Sequence, residues 1–298
     1  MSVYSIKDLE HLSGIKAHTI RIWEQRYNLF SPQRTATNIR YYNDEDVKLI
    51  LNIATLKNHG MKISKIVAMP VEMMQEEVHN LSKDDLSDED QISALTLAMV
   101  DMDETIFSDI LNANIEQNGF ERAMMDVIYP FMRKIGILWL TNAINPAQEH
   151  FITHLVRQKI ITATDQLSAK NDGPLFLLFL PEGELHELGL LFANYILRSR
   201  GYKTIFFGQT VPLNALEEVY HKLRPKCILT AMTTAPDPSG VQQYVDRLGN
   251  KFKDCSIYIT GSRVVGQDIH TPKNMQVLNQ FEDLFVLTTK QELQTFSR

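Results

Sequence analysis

A chain of 298 residues exceeds one ordinary core, and a prior of roughly 100 to 200 residues per domain gives two or three domains. The longest unbroken apolar run, Leu175 to Leu180, is far too short to span a membrane, and the N-terminus lacks a signal-peptide pattern. Cys227 and Cys255 alone make neither a disulfide framework nor a Cys-rich zinc site, so no membrane association and a cytoplasmic address are expected. The formal charge of −6 is unevenly spread: residues 1–70 hold ten Lys/Arg against six Asp/Glu, net +4, which leaves 20 against 30, net −10, for the rest. A basic head on an acidic body fits a nucleic-acid-binding module joined to something that does not touch nucleic acid.

In the head, Ser5 can cap a short helix that buries Ile6, Leu9 and Leu12, and Ser13-Gly14 breaks it. A second helix is predicted from about Lys16 to Arg26, with Ile15, Ile20 and Trp23 lining its inner side and Lys16, Thr19 and Arg21 pointing elsewhere. The second helix of such a helix-turn-helix enters the major groove, where cationic and hydroxyl groups reach phosphates and base edges. Leu29 to Tyr42 reads as a hairpin wing with Arg34 and Arg40 beside its tip. Asn43 or Asp44 then caps a helix, Asp46 to His59, with one apolar face made by Val47, Ile50, Leu51, Ala54 and Leu56, and Met61 to Met69 reads as a final short helix.

Glu72 to Asp90 is acidic and polar and reads as a boundary, and no heptad repeat follows it, so assembly through a surface other than a coiled coil is expected. Residues 91–170 carry apolar sets at helical spacing, with breaks expected at Asn118-Gly119, Pro130 and Asn145-Pro146, which makes a bundle of four or five helices. Within it, Trp139 precedes Glu149-His150 by a nine-residue spacer.

From residue 171, short apolar runs (175–180, 204–207, 227–232, 256–260 and 284–287) alternate with helical segments, which implies a parallel sheet with helices on both faces. Ligands bind such sheets beyond the carboxyl ends of strands, where strand order reverses. The loop after the first run holds Glu184-x-His186-x-x-Gly189. An exposed imidazole there can ligate a metal through one ring nitrogen while a carboxylate two residues earlier takes the proton of the other, and Gly189 lets the next helix start close to a bulky ligand.

Two resemblances follow. Ser5-Ile6, Leu9, Ser13-Gly14-Ile15, Thr19-Ile20-Arg21-x-Trp23-Glu24-x-Arg26-Tyr27, Pro32, Arg34, Arg40-Tyr41-Tyr42 and Asp46-Val47 resemble the MerR-type DNA-binding domain throughout. That resemblance implies DNA contacts from Thr19, Arg21, Arg34, Arg40 and Tyr41, and the helix reading adds Lys16. Glu184-x-His186-x-x-Gly189 resembles the lower-ligand motif of cobalamin-binding domains, whose usual first residue is Asp. Trp139-x9-Glu149-His150 resembles the upper-face cap of the CarH/LitR-like, adenosylcobalamin-dependent light-sensing regulators. The resemblance to that family covers essentially the whole chain. It implies a winged helix-turn-helix (1–75), a helical bundle (90–170) and an α/β flavodoxin-like, Rossmann-like domain (171–298). His186 would coordinate cobalt with Glu184 behind it, and Trp139, Glu149 and His150 would contact the upper ligand.

Three departures are visible. Thr230-Ala231-Met232 stands for the family's Ser-x-Leu and Gly261-Ser262 for its Gly-Gly, both at the nucleotide-tail pocket. Leu140 occupies the place where some light-sensing members carry a second His. The implied function is a transcriptional regulator, a repressor in the first instance, that binds double-stranded DNA as a homo-oligomer and is not an enzyme. Two rivals are a MerR-type regulator that has lost its cofactor and answers to a protein partner, and a corrinoid carrier for methyl transfer. The chain has no room for the substrate-activating barrel that a self-contained corrinoid enzyme would need.

Overall fold

The computed structural model describes residues 3–35, 38–81, 87–140, 143–167 and 173–289, with backbone only at 79, 80 and 140. The expected wing-tip residues Ala36 and Thr37, the acidic cluster at 83–85 and Thr141-Asn142 of the Trp139 spacer lie outside the described residues. The chain forms two compact units, Met1–Leu155 and Val156–Arg298.

The first unit begins with α1 (Ile6–Ser13), started by a reciprocal capping box between Ser5 and Asp8 and ended by Gly14 at φ +71°. Helix α2 (Ala17–Tyr27) turns Ile20 and Trp23 inward. Strands β1 (Gln33–Arg34) and β2 (Arg40–Tyr41) pair antiparallel as the wing, and Tyr4 bridges to Tyr42 beside them. A second capping box, Asn43 with Asp46, starts α3 (Asp44–Asn58). The single apolar face expected for this helix is too narrow, because every residue from Ile50 to Leu56 is buried, Asn52 and Thr55 included. Helix α3 packs on α1 and also on the bundle helix α6 (Asp88–Asp101), so protein surrounds it on more than one side. Between them lie α4 (Ile63–Ile66) and α5 (Val71–Leu81), and the polar stretch after residue 71 is therefore helical at its start, with Met74 buried against the head.

The bundle continues with α7 (Glu104–Asn118) and α8 (Phe120–Arg122), then a π-helical segment (Ala123–Ile128), α9 (Tyr129–Leu140) and α10 (Pro146–Asp165). No break occurs at Pro130, contrary to expectation: the run from 120 to 140 is helical throughout. The Tyr129 N–H bonds to the Met124 carbonyl, five residues back, and this wider turn just before Pro130 accommodates a ring that has no N–H and crowds the preceding turn.

The second unit takes in the end of α10 and then β3 (Leu175–Pro181), α11 (Leu188–Ser199), β4 (Lys203–Val211), α12 (Leu213–Leu223), β5 (Cys227–Ala231), α13 (Val241–Lys251), β6 (Ser256–Thr260), β7 (Met275–Val277) and α14 (Phe281–Thr289). All neighbouring strands are parallel, in the order β4-β3-β5-β6-β7. One sheet face, with Leu177, Phe179, Ile228, Ile257 and Ile259, packs on α12 and α13. The alternate residues Phe176, Leu178 and Leu180 are buried on the other side, where α11 lies and holds α14 through Phe192 and Phe281, ring centroids 5.2 Å apart. The run Leu284–Leu287 is helix rather than strand, the fifth strand being the short Met275–Val277. Four apolar residues do not distinguish the two periods, and the Asp283 carboxylate, which accepts from the Asn279 and Gln280 N–H groups, starts a helix there. Strand order reverses between β3 and β5, so the loops after Pro181 and after Ala231 meet at a switch point.

Candidate functional site

Glu184 and His186 occupy the loop between β3 and α11, at that switch point. The Glu184 side chain is 0% exposed and is nevertheless fully engaged. Its Oε2 accepts from the backbone N–H groups of Thr233 (2.8 Å), Thr234 (2.6 Å) and Ala235 (3.0 Å), all in the loop after β5. Its Oε1 accepts from the N–H groups of Leu185 and His186, from Thr234 Oγ1, and from His186 Nδ1 at 2.7 Å. Burial pushes the Glu184 carboxyl up, but the N–H groups of Ala235, Thr234 and His186 outweigh it and hold the carboxyl well below the usual carboxylate range. An ionised carboxylate only accepts, so the proton of a neutral imidazole sits on Nδ1, and Nε2 keeps its lone pair. The His186 side chain is 58% exposed. The loop thus presents one oriented nitrogen ligand with its supporting carboxylate sealed behind it.

The surrounding loops are tied to one another. Ser262 Oγ donates to the Thr233 carbonyl (2.9 Å), and Arg263 Nη2 donates to that of Thr234 (3.1 Å). Gly261, at φ +102°, passes so close to the end of β5 that an added Cβ would lie 2.3 Å from the Met232 carbonyl oxygen. Its lack of a side chain lets the β5 and β6 exits meet. Thr230 Oγ1 is buried with no hydrogen-bond partner among the described residues, an unsatisfied polar atom inside the sheet domain. Gly189 lies one residue inside α11. Beside His186, the Glu187 carboxylate is buried and paired with Arg157 of α10. Thr233, Thr234, Ala235, Arg263 and Arg157 escaped sequence reasoning. Backbone donors leave no trace in side-chain identity, and Arg157 looks like any helix-surface cation.

In the first unit, Trp139 stands in the last turn of α9 and is 46% exposed, unusual for so large an apolar side chain. Glu149 and His150 lie in the first turn of α10, after the short connection that follows Trp139. Glu149 Oε1 accepts from Thr153 Oγ1 (2.8 Å), and Glu149 Oε2 lies 3.5 Å from His150 Nδ1, the His150 side chain being 70% exposed.

The head offers a cationic surface built around α2. Arg21 is exposed at its middle, and Lys16 at its start is exposed and pairs with Glu10. Thr19 Oγ1 is 3.3 Å from His18 Nε2. On the wing, Arg34 is exposed and bonds Asn38 across the tip, and Tyr41 donates its hydroxyl proton to Gln33. Arg40 is the exception to a free surface role: its guanidinium pairs with Glu24 of α2 at 3.1 Å, which ties wing to helix.

Comparison with known proteins agrees with this layout. A family described as "MerR HTH family regulatory protein" matches residues 4–69, and one described as "B12 binding domain" matches residues 91–163. The chain is 29% identical to the HTH-type transcriptional repressor CarH of Myxococcus xanthus over 228 residues, covering 74% of this chain and 76% of that protein. It is 26% identical to CarA of the same organism over 263 residues, covering 84% and 83%. Among solved structures, the monomethylamine corrinoid protein of Methanosarcina barkeri superposes with a TM-score of 0.54 at 15% identity, covering 64% of this chain and 92% of that one, a likeness of fold. The chain is thus a homologue of the CarH and CarA repressors that joins a MerR-type helix-turn-helix to a B12-binding domain.

Proposed function

We propose that this protein is a cobalamin-sensing, DNA-binding transcriptional repressor of the cytoplasm, acting as a homo-oligomer and without enzymatic turnover of its own. The observation that carries the cofactor reading is the Glu184–His186 arrangement: a sealed carboxylate on Nδ1, an outward Nε2, and a position at the switch point of a parallel sheet. One imidazole is a single ligand, which suits a metal already held by a macrocycle and not a bare ion. The orphaned Thr230 hydroxyl adds a buried polar atom awaiting a partner in the domain that would take the nucleotide tail, with Gly261 shaping the loops above it.

The residues fit the group, and their roles follow from their chemistry. His186 would hold the metal, with Glu184 fixing its tautomer and orientation and Gly189 keeping the start of α11 slim. Trp139, Glu149 and His150 would contact a further group of the cofactor, for which adenosyl is proposed because an exposed indole is a stacking platform for a planar base. When bound, the cofactor supplies a cobalt–carbon bond that light can cleave, which makes light a proposed signal. Lys16, Thr19, Arg21, Arg34, Arg40 and Tyr41 hold the DNA backbone and groove edges from the segment 1–75, while 90–170 and 171–298 serve the cofactor. Linkage requires that the cofactor favour the DNA-binding state by its differential affinity for it.

The test is to purify the protein in darkness with adenosylcobalamin, then record its visible spectrum, its size and its affinity for a selected duplex before and after illumination, with His186→Ala alongside. The expected result is a coloured wild type whose size and DNA affinity change on illumination, and a variant with weakened colour and no response. A colourless wild type that elutes identically in every condition overturns the reading in favour of a cofactor-free regulator.

A further inference from the structure

The bundle helix that ends at Trp139 also reaches the DNA-binding head. Lys134, in the middle of α9, is half-buried, and its ammonium donates to the carbonyl oxygen of Leu12 at 2.7 Å. Burial outweighs the attraction of Glu89 and holds the Lys134 amine below its ordinary range, so the contact is a shielded one.

Leu12 is in the last turn of α1, where carbonyls lack helical partners and a cation is favoured. Two neighbouring carbonyls at that helix end are satisfied within the head: Ser13 Oγ donates to that of Leu9, and the Gly14 N–H donates to that of Glu10. Lys134 reaches this helix end from the bundle. From there α1 is tied to the start of α2, since the Glu10 carboxylate accepts the Ala17 N–H at 3.1 Å and pairs with Lys16 at 3.2 Å.

Two further polar contacts hold the head to α6 instead. Lys48 of α3 pairs with Asp101, and His59, just after α3, lies 3.1 Å from Asp90, which also caps α6 with Ser87. The head is therefore anchored along α6 and is also reached from α9 at Leu12. Trp139 lies five residues beyond Lys134, about 7.5 Å along the axis and roughly 140° around it, so one stiff helix carries both groups on different sides. The π-helical turn at 123–128 sits immediately upstream, an irregularity of the kind that lets a helix shift against its neighbours.

We propose that Lys134 is the positioning residue through which α9 sets the placement of α1 and the recognition helix, so that what happens at Trp139 is read out at the DNA. The coupling half of this proposal rests on the cofactor reading above; the positioning half does not.

The experiment uses the full chain with Lys134→Met, which keeps the stem and removes the donor, and Lys134→Arg, which keeps a donor. Three quantities are measured: hydrogen exchange of the Gly14–Ile20 amides in cofactor-free protein, the visible spectrum with adenosylcobalamin, and the affinity for a duplex selected from a random library by the wild type, with and without adenosylcobalamin in the dark. Lys134→Met is expected to exchange faster at Gly14–Ile20 while α3 stays protected, to keep the wild-type spectrum, and to bring the with/without affinity ratio to within about twofold of one. Lys134→Arg is expected to recover most of that ratio. Exchange at Gly14–Ile20 unchanged in Lys134→Met overturns the positioning role, whether or not the wild type takes up cofactor. A wild-type affinity ratio retained by Lys134→Met overturns the coupling, and a wild type that takes up no cofactor overturns the coupling together with the cofactor reading while the exchange result still judges the positioning.

Discussion

The protein contains two glutamate–histidine pairs that chemistry alone would rank together, and it treats them in opposite ways. Glu184 of the sheet domain is sealed from solvent and accepts three N–H groups from a loop some fifty residues away before it touches His186. Glu149 of the bundle leans on a threonine one turn along its own helix and only approaches an exposed His150. The first imidazole is held through its Nδ1 bond to a carboxylate that the loop after β5 fixes in place. The second is mostly exposed and has only its neighbour Glu149 beside it at 3.5 Å. The two pairs are prepared for different tasks: the one in the sheet domain has its orientation fixed before anything binds, and the adaptable one in the bundle leaves its histidine exposed.

The largest effect should come from attacking the prepared side. Glu184→Ala leaves the Thr233, Thr234 and Ala235 N–H groups and the His186 ring without their acceptor, which should cost about 3 kcal/mol or more in urea unfolding and weaken cobalamin roughly 10- to 100-fold. Normal stability in that variant would mean that the buried carboxylate is not what holds these loops together. Acid should reveal the same group. Because the folded carboxyl titrates below its ordinary 4.5, its contribution is whole above about pH 4.5 and is lost as pH falls through the folded value. The stability advantage of wild type over Glu184→Gln should therefore be flat from about pH 7 to 5 and shrink steadily toward about pH 2, as read by unfolding midpoints.

A middling effect is expected where α10 meets the prepared loop. Arg157→Glu or Glu187→Arg alone should cost roughly 1 to 2 kcal/mol, and the exchanged pair should recover much of it; additive losses in the double variant would show that the two side chains do not act as a pair. The smallest effect belongs to the adaptable side. Glu149→Gln and His150→Ala should leave unfolding midpoints within about 0.5 kcal/mol of wild type, and any change should appear only in the cofactor's spectrum or affinity. A large loss of stability there would erase the contrast between the two pairs.

Legibility followed the range of the interactions. Ser5 was legible as a cap and α1 starts after it; for the next capped helix the sequence left Asn43 or Asp44 open and began the helix at Asp46, and the structure has Asn43 as cap and Asp44 as first residue. The Glu184-x-His186 spacing was equally local. The failures were of two kinds. Pro130 was read by its intrinsic preference, which a π turn upstream absorbs, and Leu284–Leu287 was too short a run to reveal its period. Burial around the whole of α3 was hidden because a sequence pattern shows how many residues are apolar but not how many neighbours a helix will have.

The order of residues along the chain was enough to determine the basic head, the alternation of strands and helices, and the chemical identity of each candidate ligand, because these depend on composition and on spacings of a few residues. Tertiary structure alone decided that β3 lies between β4 and β5, that the acceptor on Glu184 finds its donors at 233–235, and that Lys134 reaches Leu12 across 122 positions. Each of these joins groups distant in sequence through backbone atoms that every residue carries, so no residue type announces them, and only the packed fold brings donor and acceptor together.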